Sequence, residues 1–301
     1  GAPFKEGDYT YFYKNDGLQA QSVLYRTDKN GKTEVFLDPN KFSDKGTTSL
    51  AGVSFNKKGN LVAYRISEGG SDWNKIIIMN ALTKEIIDET IVDVKFSGTS
   101  WLGDEGFYYS SYDKPKGSEL SAKTDTHKVY FHKLGTKQSA DKLIIGGEDF
   151  KRRYMGIGVS DDERYEILSA SEATNGNELY IKDLTNKTDF IPVQKGYEFN
   201  TDFIDSKGDV IYALTDKNAP NMRLVKFNIN NPHVWTDVIP ETENVLSVST
   251  GGGYIFARYM KDAVTSMKQF DYDGKLIRTI DLPGIGTASG FGGKEKEKDL
   301  Y

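Results

Sequence analysis

The chain has 301 residues, 37% of them apolar, and its 18 Tyr, 16 Phe and 30 Gly are typical of many short, half-exposed strands. A net charge of −5, with acidic and basic residues mixed along the length, excludes the basic stripe that a nucleic-acid partner requires. The lack of cysteine excludes disulfides and thiolate metal sites, and the short apolar runs exclude a membrane-spanning helix, so we predict no membrane partner.

Taken in chain order, one unit recurs: an apolar strand, a polar turn with Gly, Asn or Asp, and a second strand that ends in aromatic or β-branched residues. It occupies residues 53–64, 157–168 and 202–213. The turn residues are those that tolerate positive φ or hydrogen-bond to their own backbone. A second unit, an alternating strand with a charged turn, occupies residues 178–184 and 268–274. Strand after strand with short turns predicts an all-β fold.

The spacing of these units is about forty residues, which is typical of β-propeller blades. We predict an all-β propeller of the seven-bladed type, with six full blades and a truncated seventh. The predicted blades are 8–38, 49–92, 93–149, 152–195, 197–240, 244–282 and a partial blade at 284–301. Because an unfinished blade leaves strand edges unpaired, we expect another molecule or rearranged terminal segments to cover the gap.

Catalytic residues are not apparent in the sequence. A serine hydrolase of the α/β class needs a nucleophile on a Gly-x-Ser-x-Gly turn, and this pattern does not occur. Ser71 and Ser289 lie in Gly-containing turns without the second spaced Gly. His127 and His132 are five residues apart on one strand, so they point to opposite faces and cannot share a metal ion. We predict a structural or surface role for both and for His233, no metal site, and no hydrolase domain or activity in this chain alone.

Two short motifs invite a cofactor assignment and fail on spacing. Residues 284–290 carry glycines one position too far apart for a dinucleotide loop and lie outside any βαβ pattern. Residues 271–274 lack the twelve-residue loop and closing Glu of a calcium site. We therefore predict no cofactor.

Several stretches, in order along the whole chain, resemble one family. They are residues 11–19, 35–40, 70–73, 94–97, 127–136 and 218–224. Together they are similar to the propeller of bacterial members of the prolyl oligopeptidase family. That resemblance implies a propeller over an α/β-hydrolase domain whose Ser-Asp-His triad cleaves short peptides after proline. It further implies that the propeller is not catalytic alone and that it restricts access to the active site. The expected partners are the hydrolase domain of the parent peptidase and short proline-containing peptides, in the bacterial cytoplasm or periplasm.

The resemblance also assigns three residues to the substrate pocket. Phe96 and Met155 match positions where the propeller lends apolar side chains to the pocket, and we expect both side chains to emerge on that face. Thr174 lies near where the family reaches the same region. From the residues alone, an ordinary core position is favoured for both Phe96 and Met155, because most such side chains are buried, and only the resemblance makes the pocket an equal alternative.

Two other functions are compatible with a propeller. A stand-alone propeller binds peptide or protein partners through its central face. It is distinguished from the propeller domain of a peptidase by one observation, namely whether the parent gene continues into a hydrolase domain. A propeller glycosidase needs Asp-box turns ending in Trp or a cluster of inward carboxylates. The repeat turns here are followed by Val, Ile or Leu, which disfavours the glycosidase.

Overall fold

The structure is a computed structural model, and it describes residues 1–112, 126–282 and 291–301. Within these ranges the chain forms 24 β-strands and three short 3-10 turns, at Pro39–Lys41, Gln138–Ala140 and Glu148–Phe150. None of the helices in the described ranges is long and apolar enough to cross a membrane.

The chain divides into two compact units. The first contains Gly1, Pro3–Val159 and Leu168–Ala173. The second contains Ala2, Ser160–Ile167 and Thr174–Tyr301. The strands pair in antiparallel orientation in both units.

The first twelve strands form two sheets. The first sheet has the order β1-β2-β3-β4, with strands Phe4–Glu6, Tyr9–Lys14, Val23–Thr27 and Thr33–Leu37. The second sheet has eight strands in the order β12-β11-β10-β8-β7-β6-β5, with β9 paired to β10. Its strands β5 to β8 are Thr48–Phe55, Leu61–Glu68, Asn74–Asn80 and Ile91–Val94. Its strands β9 to β12 are Ser100–Leu102, Gly106–Ser111, Lys128–Lys133 and Lys142–Gly146.

The last twelve strands form three four-stranded sheets, each in sequential order. Strands β13 to β16 are Tyr154–Val159, Tyr165–Ser171, Glu178–Asp183 and Ile191–Gln194. Strands β17 to β20 are Thr201–Lys207, Val210–Thr215, Arg223–Asn228 and Asn231–Ile239. Strands β21 to β24 are Leu246–Gly251, Tyr254–Lys261, Val264–Phe270 and Leu276–Ile280.

The all-β propeller predicted from the sequence is confirmed, but the predicted count of six full blades and a truncated seventh is wrong. The described strands form four separate four-stranded blades, and the remaining eight strands belong to one sheet. The two halves of that sheet are joined because Val94 and Ser111, the last residues of β8 and β10, pair with each other. Residues 283–290 lie outside the described residues, and residues 291–301 contain no strand.

Alternating burial along the strands builds the core of each unit. In the first unit, Ala63, Ile76 and Ile78 pack with Trp101 and Phe107 between neighbouring strands. In the second unit a separate cluster of apolar side chains packs between the sheet of β13 to β16 and the sheet of β17 to β20. These members include Tyr165, Leu179, Ile181, Ile211 and Phe227. Because side chains alternate between faces of a strand, such packing fixes the register of every sheet.

One turn shows why glycine recurs in the repeat. Gly59 lies between β5 and β6 with a φ of +74°, a region that side-chain-bearing residues rarely adopt. A Cβ atom at this position would also collide with the backbone nitrogen of Gly7. The Gly in this repeated turn therefore serves both the turn and the close approach of the first β-hairpin.

The last described residues, 291–301, fold back onto the turn between β21 and β22. The amide of Gly252 donates to the carbonyl of Lys294 (3.0 Å), and that of Gly293 donates to the carbonyl of Thr250 (3.2 Å). The ring of Phe291 stacks on Phe256 with centroids 5.6 Å apart. The face of β22 that carries Phe256 is therefore covered by this segment.

Candidate functional site

A partly exposed group of aromatic residues lies at the strand ends of the first unit. It consists of Trp73, Phe96, Tyr112 and Tyr154, with Lys95 beside them, and we call it the Phe96 surface. Each aromatic residue lies at or within two residues of a strand end: before β7, after β8, after β10 and at the start of β13. The pairing of Val94 with Ser111 brings the ends of β8 and β10 together, and with them the aromatic residues that follow.

Phe96 is the most exposed aromatic of this surface, with 53% of its area open to solvent. Its ring meets Tyr154 edge to face at a centroid distance of 5.4 Å, and Tyr112 in the same manner at 6.4 Å. Edge-to-face contacts of this kind stabilise aromatic pairs beyond the area that they bury. The ring is thus held by its neighbours while one side remains open to a ligand.

The backbone at Phe96 has an uncommon conformation. Its φ is +49°, which is rare for a bulky residue, and Asp93 close by also has a positive φ of 59°. Hydrogen bonds to β10 hold the segment, because the amide of Ser110 donates to Oγ of Ser97 at 2.7 Å. Non-glycine residues in this region occur disproportionately at binding sites, where the surrounding structure holds them in place.

A cation lies over the rings. The ammonium nitrogen of Lys95 is 4.9 Å from the ring centroid of Trp73 and 5.3 Å from that of Phe96. A lysine in this position is attracted by the negative faces of both rings. The Phe96 surface therefore offers a ligand apolar ring faces with one positive charge beside them.

His127 lies beneath this surface and is fully buried. Its Nε2 is 2.9 Å from the carbonyl oxygen of Lys95, and its Nδ1 is 2.9 Å from the amide nitrogen of Met155. Its ring also contacts that of Tyr112, with centroids 4.8 Å apart. Burial lowers the pKa of His127, against the opposing effect of the Lys95 carbonyl.

The other buried histidine, His132, has no ring nitrogen free for catalysis. Its Nδ1 is 2.7 Å from a carboxylate oxygen of Asp141, and its Nε2 is 3.0 Å from one of Asp88. Burial disfavours the charged ring, but the hydrogen bonds to the two carboxylates outweigh it and raise the pKa of His132. The buried ring has a carboxylate opposite each nitrogen, an arrangement that favours the imidazolium form, and these contacts brace β11 against the rest of its sheet.

The three residues assigned to the pocket by resemblance lie in different environments. Phe96 is exposed. Met155 is only 3% exposed, so the expectation that its side chain emerges at the surface is wrong: it packs inward because Tyr154, its neighbour on β13, takes the outward position. Thr174 is exposed in the loop between β14 and β15 and belongs to the second unit. The structure thus brings Phe96 together with the strand that begins at Tyr154.

Sequence reasoning missed four members of the Phe96 surface, namely Trp73, Lys95, Tyr112 and Tyr154. The signal available was an aromatic residue beside the end of each of several strands. Ser71 serves the turn before β7, where its Oγ accepts a hydrogen bond from the amide of Trp73 at 3.1 Å. Ser289, the other serine considered, lies outside the described residues. Among the described residues, no group of three or more His, Asp or Glu is arranged to hold a metal ion.

Comparison with protein families gives a match along the whole chain. Residues 1–301 match the family model described as "Prolyl oligopeptidase, N-terminal beta-propeller domain". The chain is 70% identical to a prolyl endopeptidase of Elizabethkingia meningoseptica and 29% identical to prolyl oligopeptidase A of Galerina marginata. Both alignments cover 100% of this chain, but 43% and 46% of the relatives. The chain therefore spans less than half the length of these relatives.

Solved structures give the same result for the fold. One, from a study of two prolyl endopeptidases and the role of inter-domain dynamics in catalysis and specificity, superposes with a TM-score of 0.90 at 30% identity. It is matched over 100% of this chain and 44% of its own. Prolyl oligopeptidase B from Galerina marginata, bound to a 35mer substrate, superposes with a TM-score of 0.89 at 23% identity, over 99% and 45%. At that identity the second likeness concerns the fold alone.

Proposed function

We propose a function for this chain on one premise: it belongs to the prolyl oligopeptidase family and is homologous to the family's N-terminal, non-catalytic β-propeller domain. The proposed function is that of an access and recognition domain in a serine peptidase that cleaves short peptides after proline. In this role the chain works together with a hydrolase domain that carries the catalytic triad. It contributes no catalytic residue of its own.

The observation that carries the proposal is the exposed ring of Phe96, held edge to face by Tyr112 and Tyr154. An open aromatic face suits the apolar side chains of a peptide, and clustered aromatic residues are common in recognition sites. We assign Phe96 to direct contact with the peptide. Met155 supports it from the buried side of β13, and Thr174, in the second unit, keeps its assignment by resemblance alone.

The second part of the proposal is size selection. A propeller domain that covers a hydrolase active site admits a short unfolded peptide and excludes a folded protein, because only the former passes a narrow opening. Binding energy is then gained from the substrate near its cleavage site, at groups such as Phe96.

The experiment joins this chain to a hydrolase domain and measures cleavage of a chromogenic proline peptide. We expect Phe96→Ala to lower kcat/KM about tenfold, as typical for loss of an apolar anchor in a recognition pocket. Tyr254→Ala is the control, since it removes an exposed aromatic at the start of β22, in the second unit, and it should leave kcat/KM unchanged. Equal kinetics for both variants would contradict the assignment of Phe96.

A second assay tests the purified chain without a hydrolase domain. We expect no hydrolysis of the same peptide by the purified chain, and activity only with the hydrolase domain present. Turnover by the chain alone, blocked by a serine-directed inhibitor, would show that the catalytic group lies in the chain and would overturn the proposed division of labour.

A further inference from the structure

The clearest unexplained group beneath the Phe96 surface is His127. It is fully buried, yet both of its ring nitrogens reach backbone atoms of other segments. One is the carbonyl of Lys95, which directly precedes Phe96. The other is the amide of Met155, which directly follows Tyr154. Buried ring nitrogens require hydrogen-bond partners, and here the partners belong to the two segments that carry Phe96 and Tyr154.

The donor and acceptor roles follow from the partners. The Met155 amide can only donate, so Nδ1 must present its lone pair; the Lys95 carbonyl can only accept, so Nε2 must carry the proton. The ring is therefore neutral and in a single tautomer. A second proton on the ring would remove the acceptor of the Met155 hydrogen bond.

The two bonded segments carry the two rings that meet at the surface. Phe96 and Tyr154 are in edge-to-face contact at 5.4 Å, and the ring of His127 itself lies 6.3 Å from that of Tyr154. Phe96 stands beyond the end of β8 with a left-handed backbone, and Ser110 of β10 hydrogen-bonds the residues on either side of it, Lys95 and Ser97. The His127 bridge ties that backbone to β13.

We propose that His127 is a positioning residue for peptide recognition, which sets the distance and angle between Phe96 and Tyr154 by bridging Lys95 and Met155. The inference rests on the proposed function for its effect on substrate, but the bridge itself is a property of this chain. His127 touches no substrate in this role and acts through Phe96.

Three substitutions separate the two hydrogen bonds. His127→Asn places an acceptor near the position of Nδ1 and keeps the Met155 bond, while His127→Gln reaches the position of Nε2 and keeps the Lys95 bond. His127→Phe retains the ring and its contact with Tyr112 but makes neither bond. The exposed His233 offers a control, His233→Phe, in which the same change occurs in the second unit.

The first measurement uses the chain alone, labelled with 4-fluorophenylalanine, with the Phe96 signal assigned from the Phe96→Leu variant. We expect His127→Phe to shift or broaden the ¹⁹F signal of Phe96, and the Asn and Gln variants to have intermediate effects. The His233→Phe variant should leave it unchanged. An unchanged Phe96 signal in His127→Phe would overturn the positioning role, since packing alone would then hold the ring. Should His127→Phe not fold, the Asn and Gln variants decide the same question, because each lacks one bond.

The second measurement uses the chain joined to the hydrolase domain. We expect His127→Phe to raise KM about fivefold and to leave kcat nearly unchanged, the pattern of lost substrate binding. If Phe96→Ala raises KM while His127→Phe does not, the positioning role is wrong. If the ¹⁹F signal moves but neither variant alters the kinetics, the bridge exists and the proposed recognition function of the surface is what fails.

Discussion

The two buried histidines of the first unit have the same exposure but differ in charge. His127 directly precedes β11 and His132 lies within it, and both are fully buried. His127 accepts a hydrogen bond from a backbone amide, which requires a neutral ring. His132 lies between the carboxylates of Asp88 and Asp141, which favour the charged ring. Burial alone therefore does not decide the charge of a histidine; the atoms opposite its two nitrogens do.

The difference extends to what each region does. Around His132, the ring nitrogens, the two carboxylates and the Tyr109 hydroxyl that donates to Asp141 satisfy one another, and Phe107 closes the site. Around His127, the bonds go to the backbone of the two segments that carry the exposed rings of Phe96 and Tyr154. The first arrangement holds a sheet together, and the second presents a surface.

The largest expected effect concerns the ionic site. Asp141→Ala leaves a buried imidazolium with one carboxylate, and breaking a buried pair in this way costs about 3–5 kcal/mol of unfolding free energy. Urea denaturation near neutral pH measures it. Asp8→Ala is the control, because it breaks an exposed ion pair with Lys29 and should cost less than about 1 kcal/mol. Equal losses in both variants would mean that the His132 site is not an ionic brace.

The second prediction compares two phenylalanines. Phe107 is fully buried against His132, and Phe107→Ala should cost about 3–5 kcal/mol because it leaves a cavity. Phe96→Ala removes a ring that is half exposed, and the change should stay within about 0.5 kcal/mol, as at ordinary surface positions. Denaturant melts of the two variants give the comparison. A large loss in Phe96→Ala would make Phe96 a core residue and would remove it from the pocket.

The smallest effect is the pH dependence, which has opposite signs in the two regions. The pKa of His132 is raised by its carboxylates despite burial, so its contribution to stability is full below about pH 6.5 and is lost as pH rises through the folded pKa. The pKa of His127 is lowered by burial, so its contribution is present above about pH 6.5 and is lost as pH falls through the folded pKa. Each unit of difference between the folded and unfolded pKa corresponds to about 1.4 kcal/mol.

Two variants test these two pH dependences of the unfolding free energy separately. Denaturation is followed between about pH 5 and 9, a range that contains the ordinary pKa of histidine. The stability difference between wild type and His127→Phe should shrink as the pH falls. In the double variant Asp88→Asn with Asp141→Asn, the loss of stability at high pH should disappear. Parallel pH profiles for wild type and both variants would refute the assigned charges.

Sequence reasoning reached the fold class because the relevant signals are local. Alternating strands, Gly turns such as that at Gly59 and a period near forty residues describe an all-β propeller without knowledge of any distant contact. The number of blades could not be read in the same way. The turns in the sequence reveal the hairpins, whereas the pairing of Val94 with Ser111 merges eight strands into one sheet and joins the ends of two strands that are not consecutive along the chain.

The candidate site was only partly accessible to the same reasoning. Resemblance singled out Phe96, which is exposed, and Met155, which is buried because its neighbour Tyr154 takes the outward position. The odd spacing of His127 and His132 separated their faces, but it carried no information on their charge. That information lies in Lys95, Asp88, Asp141 and the Met155 amide, which lie up to 44 residues away in sequence.

The sequence by itself determined the strands, their turns and the family of this protein, because hydrophobic period, turn chemistry and motif order are all properties of neighbouring residues. Only the tertiary structure decided which strands share a sheet, which of two adjacent side chains faces solvent, and which buried histidine is charged. The physical reason is that these outcomes depend on which atoms stand opposite one another across segments. Packing and hydrogen-bond geometry set that arrangement once the chain has folded.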